Sequence, residues 1–354
     1  MWGFFSWLFN WLRDLLCRWL GLFCRCKDNP PPRTCPIAWQ PSVLAPVFYG
    51  ARDMGAADGA PGPCRVFFPS LDGAVFDAPI LSGCARYPLI IFFHGHCAEA
   101  EHYKKWFEIP ATLARSGCVV VVPELPQVGG GVHPSGADAD LELVGKFEEW
   151  MRGSWEHRAV LQAPPATGVL GHSFGALLAG RYAQVAAVGA YASLSGVWQD
   201  WPDSNAPIKT LRIPKFFTWG DPLLDLFTEI NTPSWTALPP NKHRAVFSGG
   251  AHWDYLRAGR TTCETGRGDC PLVHVVAGDL VATFFGKYLP PECWPALTTC
   301  IPDSLVAPPY NLTMDQEFYA GGHLMGLKLM QGQKSCQVQL AWTTSTGSGS
   351  VTKP

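Results

Sequence analysis

The chain has 354 residues, of which 47% are hydrophobic and only 16% are charged. This composition excludes a disordered or coiled-coil protein, because both kinds of chain are rich in charged and polar residues. The formal net charge is −2, and without a basic excess to neutralise phosphates we expect no nucleic-acid partner.

The first 27 residues form a hydrophobic segment that carries charges at Arg13, Asp14 and Arg18. These charges interrupt it before it reaches the roughly 20 apolar residues that a membrane span needs. Its helical periodicity predicts an amphipathic helix with a wide apolar face, which suits contact with a membrane surface. An atypical signal sequence and a helix packed on the body are the alternatives. A membrane-associated or secreted protein is therefore favoured over a cytoplasmic one.

The rest of the chain divides by composition. Residues 28–59 read as a proline-rich linker and an irregular entry, since consecutive prolines favour an extended backbone. Residues 60–290 carry the main domain, 291–342 a C-terminal extension, and 343–354 a low-complexity tail. The stretch Thr343–Ser350, TTSTGSGS, is expected to be disordered.

Within residues 60–290, short apolar runs alternate with amphipathic segments. We predict strands at Pro88–Phe93, Cys118–Pro123, Thr167–Leu170, Ala190–Leu194, Ile213–Trp219 and Arg244–Phe247. We predict helices at Ala100–Arg115, Asp138–Met151, Ala176–Val188 and Leu272–Tyr288. Continuous apolar strands that alternate with helices indicate an α/β fold, with a mostly parallel central sheet covered by helices on both faces.

One motif in this alternation carries chemistry. Gly171-His172-Ser173-Phe174-Gly175 matches the G-x-S-x-G pattern, follows a predicted strand and opens a small-residue helix. In that context the pattern predicts a nucleophile elbow, a sharp turn that exposes a strained serine at a helix N-terminus. The alternative is a tight turn with an incidental serine.

Four segments in this order resemble the α/β-hydrolase superfamily: HGH at 94–96, GHSFG at 171–175, TWGD at 218–221 and GGAHWDYL at 249–256. The resemblance covers roughly residues 60–290. Its nearest branch holds cutinase-like polyester hydrolases, dienelactone-hydrolase-like esterases and platelet-activating-factor acetylhydrolases. It implies the α/β-hydrolase fold and ester hydrolysis in residues 60–290, without naming a substrate.

The superfamily order of nucleophile, acid and base implies the partners of Ser173. Asp221 directly follows the predicted strand Ile213–Trp219 and its Gly220, and its Asp-Pro-Leu-Leu sequence resembles the acid turn of the family. Asp225 is the alternative acid. His252, in a small-residue loop after the last predicted strand, is the expected base, while its rival His243 lies at the start of that strand.

The resemblance also implies the surroundings of the nucleophile. The backbone N–H groups of Phe174 and His96 are expected to form the oxyanion hole. Trp198 is the candidate wall of the acyl site and Trp201 is the second candidate, although both could simply pack over the core. The segment between Ser173 and Asp221 is too short for a large lid, which favours a small or shallow site.

Cofactors and metals are not expected. His94, His96 and Cys97 lie close together but lack the second cluster that a zinc site needs. Cys263 with Cys270, and Cys293 with Cys300, are candidate disulfide pairs if the protein is exported, and Asn311 begins a weak glycosylation sequon on the same condition.

The sequence therefore predicts a serine hydrolase that cleaves small-molecule or polymeric esters through an acyl-enzyme. The same nucleophile could serve an acyltransferase or a peptidase. If residues 1–27 contact a membrane, the protein could be a tethered lipid hydrolase. A catalytically inactive binding module is disfavoured by the complete set of Ser173, Asp221 and His252.

Overall fold

The structure is a computed structural model that describes residues 48–70, 74–81, 86–97, 100–196, 207–221, 225, 238–256, 273–291, 337–344 and 347–353. Several predictions fall outside these ranges and stay predictions. They concern the membrane contact of residues 1–27, the pocket residues Trp198 and Trp201, the two candidate disulfides and the sequon at Asn311. Within the described ranges, none of the helices combines the length and hydropathy that a bilayer span requires.

A single sheet organises the chain. Its strands are β1 Phe48–Met54, β2 Cys64–Ser70, β3 Leu89–Phe93, β4 Val119–Pro123, β5 Thr167–His172, β6 Ala190–Leu194, β7 Lys215–Trp219, β8 Lys242–Ser248, β9 Gln337–Thr344 and β10 Gly347–Lys353. Their order is β1-β2-β4-β3-β5-β6-β7-β8-β9-β10. The strands from β4 to β8 pair in parallel, and two antiparallel strands extend the sheet at each side.

Helices cover both faces of this sheet, as predicted. They are α1 Glu108–Arg115, the one-turn α2 Pro126–Gly129, α3 Asp138–Gly153, α4 Phe174–Val185 and α5 Val273–Tyr288. Because successive side chains of a strand point to opposite faces, Ile90 and Phe92 of β3 pack with α1 and α5. The intervening Ile91 and Phe93 pack with α3 and α4. The apolar runs of the central strands are thus buried from both sides.

The predicted helix Ala100–Arg115 is wrong in its first half. The chain forms a short 3₁₀ helix at His102–Lys105, and α1 begins only at Glu108. Pro110 supplies the physical reason, since a proline is tolerated in the first turn of a helix but breaks hydrogen bonding in its interior. The helix therefore starts where Pro110 falls in its first turn.

The described residues of the C-terminal tail lie in strands, which corrects the prediction of disorder for residues 343–344 and 347–350. Strands β9 and β10 pair antiparallel, and residues 337–343 of β9 pair with all seven residues of β8. Strand β1 lies in the segment expected to be irregular and pairs with β2. The sheet thus extends beyond residues 60–290 in both directions of the chain.

The parallel strands indicate at which edge of the sheet a functional site is expected. Strands β3, β5, β6, β7 and β8 are neighbours and run in the same direction. Their carboxyl ends meet at one edge, which is where ligands bind in open α/β sheets. Of the predicted functional residues, Ser173 follows β5, Asp221 and Asp225 follow β7, and His252 follows β8.

Candidate active site

Ser173 lies on a strained turn between β5 and α4. Its backbone has φ 55° and ψ −127°, a positive φ that non-glycine residues rarely adopt. Both glycines of the motif lie so close to neighbouring main-chain atoms that a side chain would not fit. A β-carbon at Gly171 would lie 2.4 Å from the Ala176 Cα, and one at Gly175 would lie 2.2 Å from the Phe93 carbonyl oxygen. The motif therefore forms the predicted elbow, with Ser173 at the start of α4.

The loop after β3 presses against this elbow. A β-carbon at Gly95 would approach the Ser173 Cβ to 2.7 Å. The neighbouring His94 is fully buried, its Nε2 accepts the Leu125 N–H at 2.8 Å, and its Nδ1 lies 3.0 Å from the Gly95 carbonyl oxygen. Nδ1 therefore carries the proton, and burial lowers the pKa of His94 to about 4. His94 acts here as a neutral brace for the loop.

His96, two residues after His94, is exposed. Its ring lies over the loop after β4, because a β-carbon at Gly131 would come within 3.1 Å of the His96 Nε2. The next residue, Cys97, donates its N–H to the Gly129 carbonyl oxygen at 3.2 Å and is disulfide-bonded. The backbone of this loop is thus held on both sides of His96.

His252 lies in the loop after β8, beside the residue that precedes the nucleophile. Its ring lies 4.7 Å from that of His172, centroid to centroid, and the His172 Nε2–H donates to the His252 carbonyl oxygen at 2.9 Å. Burial holds the pKa of His172 well below its ordinary value, so that this ring is neutral. Asp254 anchors the loop, since its carboxylate accepts the Ala251 N–H at 2.7 Å.

Asp225, rather than the favoured Asp221, is the carboxylate that faces His252. Asp225 is fully buried, and its Oδ1 lies 3.6 Å from the His252 Nδ1. Burial alone would raise its pKa, but His252, the Ser195 hydroxyl and the Gly220 N–H together hold the pKa below its ordinary value. Asp225 is therefore an ionised carboxylate inside the protein.

Asp221 has a different position. Its N–H donates to the Gly250 carbonyl oxygen at 2.6 Å, and its carboxylate accepts the Gly249 N–H at 3.1 Å. These contacts tie the end of β7 to the loop that carries His252. The approach is close enough that a β-carbon at Gly220 would lie 2.3 Å from the Gly250 oxygen. The structure thus places Asp225, the alternative of the two predicted acids, beside His252, and places Asp221 against the backbone of the loop instead.

Ser195 was missed by the sequence analysis. It follows β6, is fully buried, and its Oγ lies 2.5 Å from the Asp225 Oδ2 and 2.6 Å from the His252 Nδ1. A serine after a strand carries no local signal for such a role.

The rival base His243 lies at the start of β8, where its Nε2 contacts the Tyr288 hydroxyl at 2.8 Å.

Aromatic rings surround the histidines behind the elbow. The His172 ring lies 4.8 Å from that of Trp106 and 5.1 Å from that of Trp253. Among the residues that the structure describes, no group of His, Cys, Asp and Glu side chains could hold a metal ion. The described side chains of the site include two serines, a histidine and a buried carboxylate.

Comparisons with known proteins agree with this architecture. The family described as alpha/beta hydrolase fold matches residues 88–224, less than half of the chain. A solved structure of a ferulic acid esterase from Streptomyces cinnamoneus is similar with a TM-score of 0.53 and 16% identity, over 72% of this chain and 94% of that one. No curated protein sequence matches. At this identity the likeness concerns the fold alone, and the chain has an α/β-hydrolase fold.

Proposed function

We propose that this chain, on its α/β-hydrolase fold, is a serine hydrolase that cleaves carboxylic esters through an acyl-enzyme. The observation that carries the proposal is the strained Ser173 at the start of α4, next to His172, whose ring lies 4.7 Å from the ring of His252. Strained serines on such turns present their hydroxyl to a substrate at the edge of the sheet. The rest of the site supplies a base and a buried negative charge.

His252 is the proposed general base. Its Nδ1 faces Ser195 and Asp225, which leaves Nε2 as the nitrogen that can accept the Ser173 proton. A buried carboxylate on the Nδ1 side stabilises the imidazolium that then forms. Asp225 is therefore the proposed acid of the triad.

The proposed oxyanion hole uses two backbone N–H groups. The Phe174 N–H is in the first turn of α4, where the first N–H groups have no partner within the helix. The His96 N–H belongs to the loop in which Gly95 packs on Ser173. Donors fixed by packing stabilise a developing oxyanion without rearranging during the reaction.

The reaction then follows two steps. Ser173 Oγ attacks the ester carbonyl while His252 accepts its proton, and the alcohol leaves with that proton to give the acyl-enzyme. Water attacks the acyl-enzyme while His252 accepts its proton; the bond to Ser173 Oγ then breaks, His252 returns the proton to that oxygen, and the carboxylic acid leaves. Trp198 and Trp201 are the proposed walls of the acyl site. Polyesters or small esters are the proposed substrates, from the resemblance to polyester hydrolases and small esterases.

Hydrolysis of p-nitrophenyl esters of increasing acyl length tests the proposal. The wild type should turn over short esters, and Ser173→Ala should lose 10³-fold or more of kcat/KM, on the order of what a nucleophile contributes. Ser154→Ala, the same change at an exposed serine after α3, is the matched control and should keep full activity.

A fluorophosphonate probe followed by mass spectrometry of the peptides should label Ser173 in the same preparations. Equal activity in wild type and Ser173→Ala, or a label on another serine, would exclude Ser173 as the nucleophile. Product analysis with added alcohol separates hydrolysis from acyl transfer, because a transferase gives mostly the new ester.

A further inference from the structure

The ion pair between the carboxylate and the imidazole of the site is a long one. The Asp225 Oδ1 and the His252 Nδ1 are 3.6 Å apart, beyond the usual length of a hydrogen bond. The Ser195 Oγ lies within 2.6 Å of the imidazole nitrogen and 2.5 Å of the other carboxylate oxygen. A hydroxyl group therefore stands between the two charged groups.

The positions of the protons follow from what each group can donate. An ionised carboxylate only accepts, so the Ser195 O–H donates to Asp225. The Ser195 oxygen is then free to accept, and the His252 Nδ1–H donates to it. This assignment fixes the His252 tautomer with its proton on Nδ1, which leaves Nε2 able to accept.

The backbone holds this hydroxyl in position. Ser195 has φ 44°, a conformation that a serine rarely adopts without support. Its N–H donates to the Thr218 carbonyl oxygen at 2.7 Å. Sites where backbone strain is maintained by surrounding contacts are often functional.

We propose that Ser195 is a positioning residue whose hydroxyl relays the hydrogen bond between His252 and Asp225. This inference rests on the proposed function, since it assigns the partner of the base in that site. No proton is transferred along the relay. The hydroxyl orients the ring, fixes its tautomer and connects the imidazolium to the buried charge.

The same contacts argue against Ser195 as the nucleophile. Its side chain is fully buried, and its oxygen is engaged between Asp225 and the Nδ1 of His252. A nucleophile must instead reach a substrate carbonyl while its proton passes to a base. Ser173 lies on the elbow at the sheet edge and keeps 6% of its surface exposed, which favours it over Ser195 as the proposed nucleophile.

The relay makes a prediction about Asp225→Asn that a direct triad does not. An amide bonded directly to the base favours the wrong tautomer and lowers kcat by about 10⁴. With Ser195 between the groups, the amide oxygen can accept the Ser195 O–H and the Gly220 N–H, which the Asp225 Oδ2 now accepts. The His252 tautomer is then preserved.

Kinetics of Ser195→Ala, Asp225→Asn and the double variant test the relay, with Ser193→Ala as the matched control on the same strand. The relay predicts that Ser195→Ala lowers kcat at least 10-fold with KM within about twofold, as for an interaction that matters in the transition state. Asp225→Asn should keep more than 1% of kcat, and lose that remainder when Ser195→Ala is added. Ser193→Ala should behave as wild type.

Nitrogen-15 NMR of the labelled histidine rings gives an independent readout. The relay predicts an Nδ1–H tautomer of His252 in wild type and in Asp225→Asn, and loss of that preference in the double variant. Wild-type kcat in Ser195→Ala, or a 10⁴-fold loss in Asp225→Asn alone, would overturn the relay. If Ser195→Ala does not fold, the kcat and the His252 tautomer of Asp225→Asn still test the relay.

The two proposals can fail separately. An inactive wild type, or an active Ser173→Ala, contradicts the ester-hydrolase proposal. An active wild type that depends on Ser173 but not on Ser195 contradicts only the relay.

Discussion

Glycines around Ser173 are fixed by contacts with main-chain atoms, which cannot move aside as side chains do. Gly175→Ala would bring its β-carbon within 2.3 Å of the carbonyl oxygens of Phe93 and His94. We expect a loss of at least about 1–3 kcal/mol in the free energy of unfolding, as for overpacking. Ester hydrolysis should fall as well, because this contact packs the elbow that carries Ser173 against the end of β3 and the loop that follows it. Urea unfolding and p-nitrophenyl ester kinetics measure both effects.

Gly145→Ala is the matched control for that change. Gly145 lies within α3, and a β-carbon there would meet nothing within 4 Å. Since glycine is a poor helix former, the change should raise the free energy of unfolding by about 0.5–1 kcal/mol and leave activity unchanged. Equal effects of the two substitutions would mean that the elbow tolerates a side chain at Gly175.

His94 makes the folded protein sensitive to acid. Burial lowers its pKa from the ordinary value of 6.5 to about 4. As the pH falls below 6.5 the unfolded chain binds a proton that the folded protein does not, so this contribution to stability is complete above pH 6.5 and is lost towards pH 4. Between pH 7 and pH 4 the loss amounts to about 3 kcal/mol.

His94→Gln should remove this part of the acid sensitivity. The glutamine keeps an acceptor for the Leu125 N–H but does not titrate. The difference in the free energy of unfolding between pH 7 and pH 4, from urea unfolding at each pH, should shrink by about 3 kcal/mol. An unchanged difference would mean that His94 is not the group responsible, even if the variant is less stable at both pH values.

At the scale of elements, the short helix α2 and the long helix α3 cap each other. The buried Asp140 carboxylate accepts the N–H groups of Gln127 and Val128 at the start of α2, at 3.2 and 2.8 Å. In return, the Gln127 side chain accepts the N–H groups of Ala139 and Asp140 at the start of α3. The pair supports the site, since Gly129 of α2 accepts the Cys97 N–H.

Asp140→Ala should therefore destabilise the protein and slow catalysis. The buried Val128 N–H and the partly buried Gln127 N–H would lose their acceptor, which costs about 1–3 kcal/mol, and the loop that carries His96 would lose support. Asp138→Ala is the control, because Asp138 is exposed and pairs with Arg181 at the surface, a contact worth at most about 1 kcal/mol. Thermal unfolding and kcat are measured on both variants. Equal losses of stability and of kcat in the two variants would contradict the capping role of Asp140.

The sequence predicts elements well where burial determines them. The runs LIIFF and VVVVP of β3 and β4 are apolar at every position, which is typical of strands buried on both faces. The tail was mispredicted because TTSTGSGS is polar throughout, and its strands depend on pairing with β8 far away in the chain. Local composition carries no information about such a pairing.

At the scale of the whole molecule, the site is assembled by adjacent loops at one edge of the sheet. The sequence identifies Ser173 and His252 because a turn motif and a small-residue loop distinguish them. It does not separate Asp221 from Asp225, since both follow β7 and only the path of the turn decides which carboxylate faces His252. Ser195 follows β6 without any motif, and its contacts with Asp225 and His252 form only where three loops meet.

The C-terminal hairpin should stabilise the strand that leads to the base. All seven residues of β8 pair with β9, so a chain that ends at residue 336 exposes the edge of β8. We expect a loss on the order of 5 kcal/mol, from about 1 kcal/mol for each ladder hydrogen bond, together with concentration-dependent aggregation through the free edge and a lower kcat.

A chain that ends at residue 346 separates pairing at β8 from the mere loss of tail residues. It lacks β10 but keeps β9 on β8, so the loop with His252 retains its support and kcat should stay near that of wild type. Thermal unfolding, size-exclusion chromatography over a range of concentrations and ester kinetics compare the two truncations. Equal behaviour of both chains would mean that the hairpin does not support β8, and that His252 is held by Asp221 and the loop contacts alone.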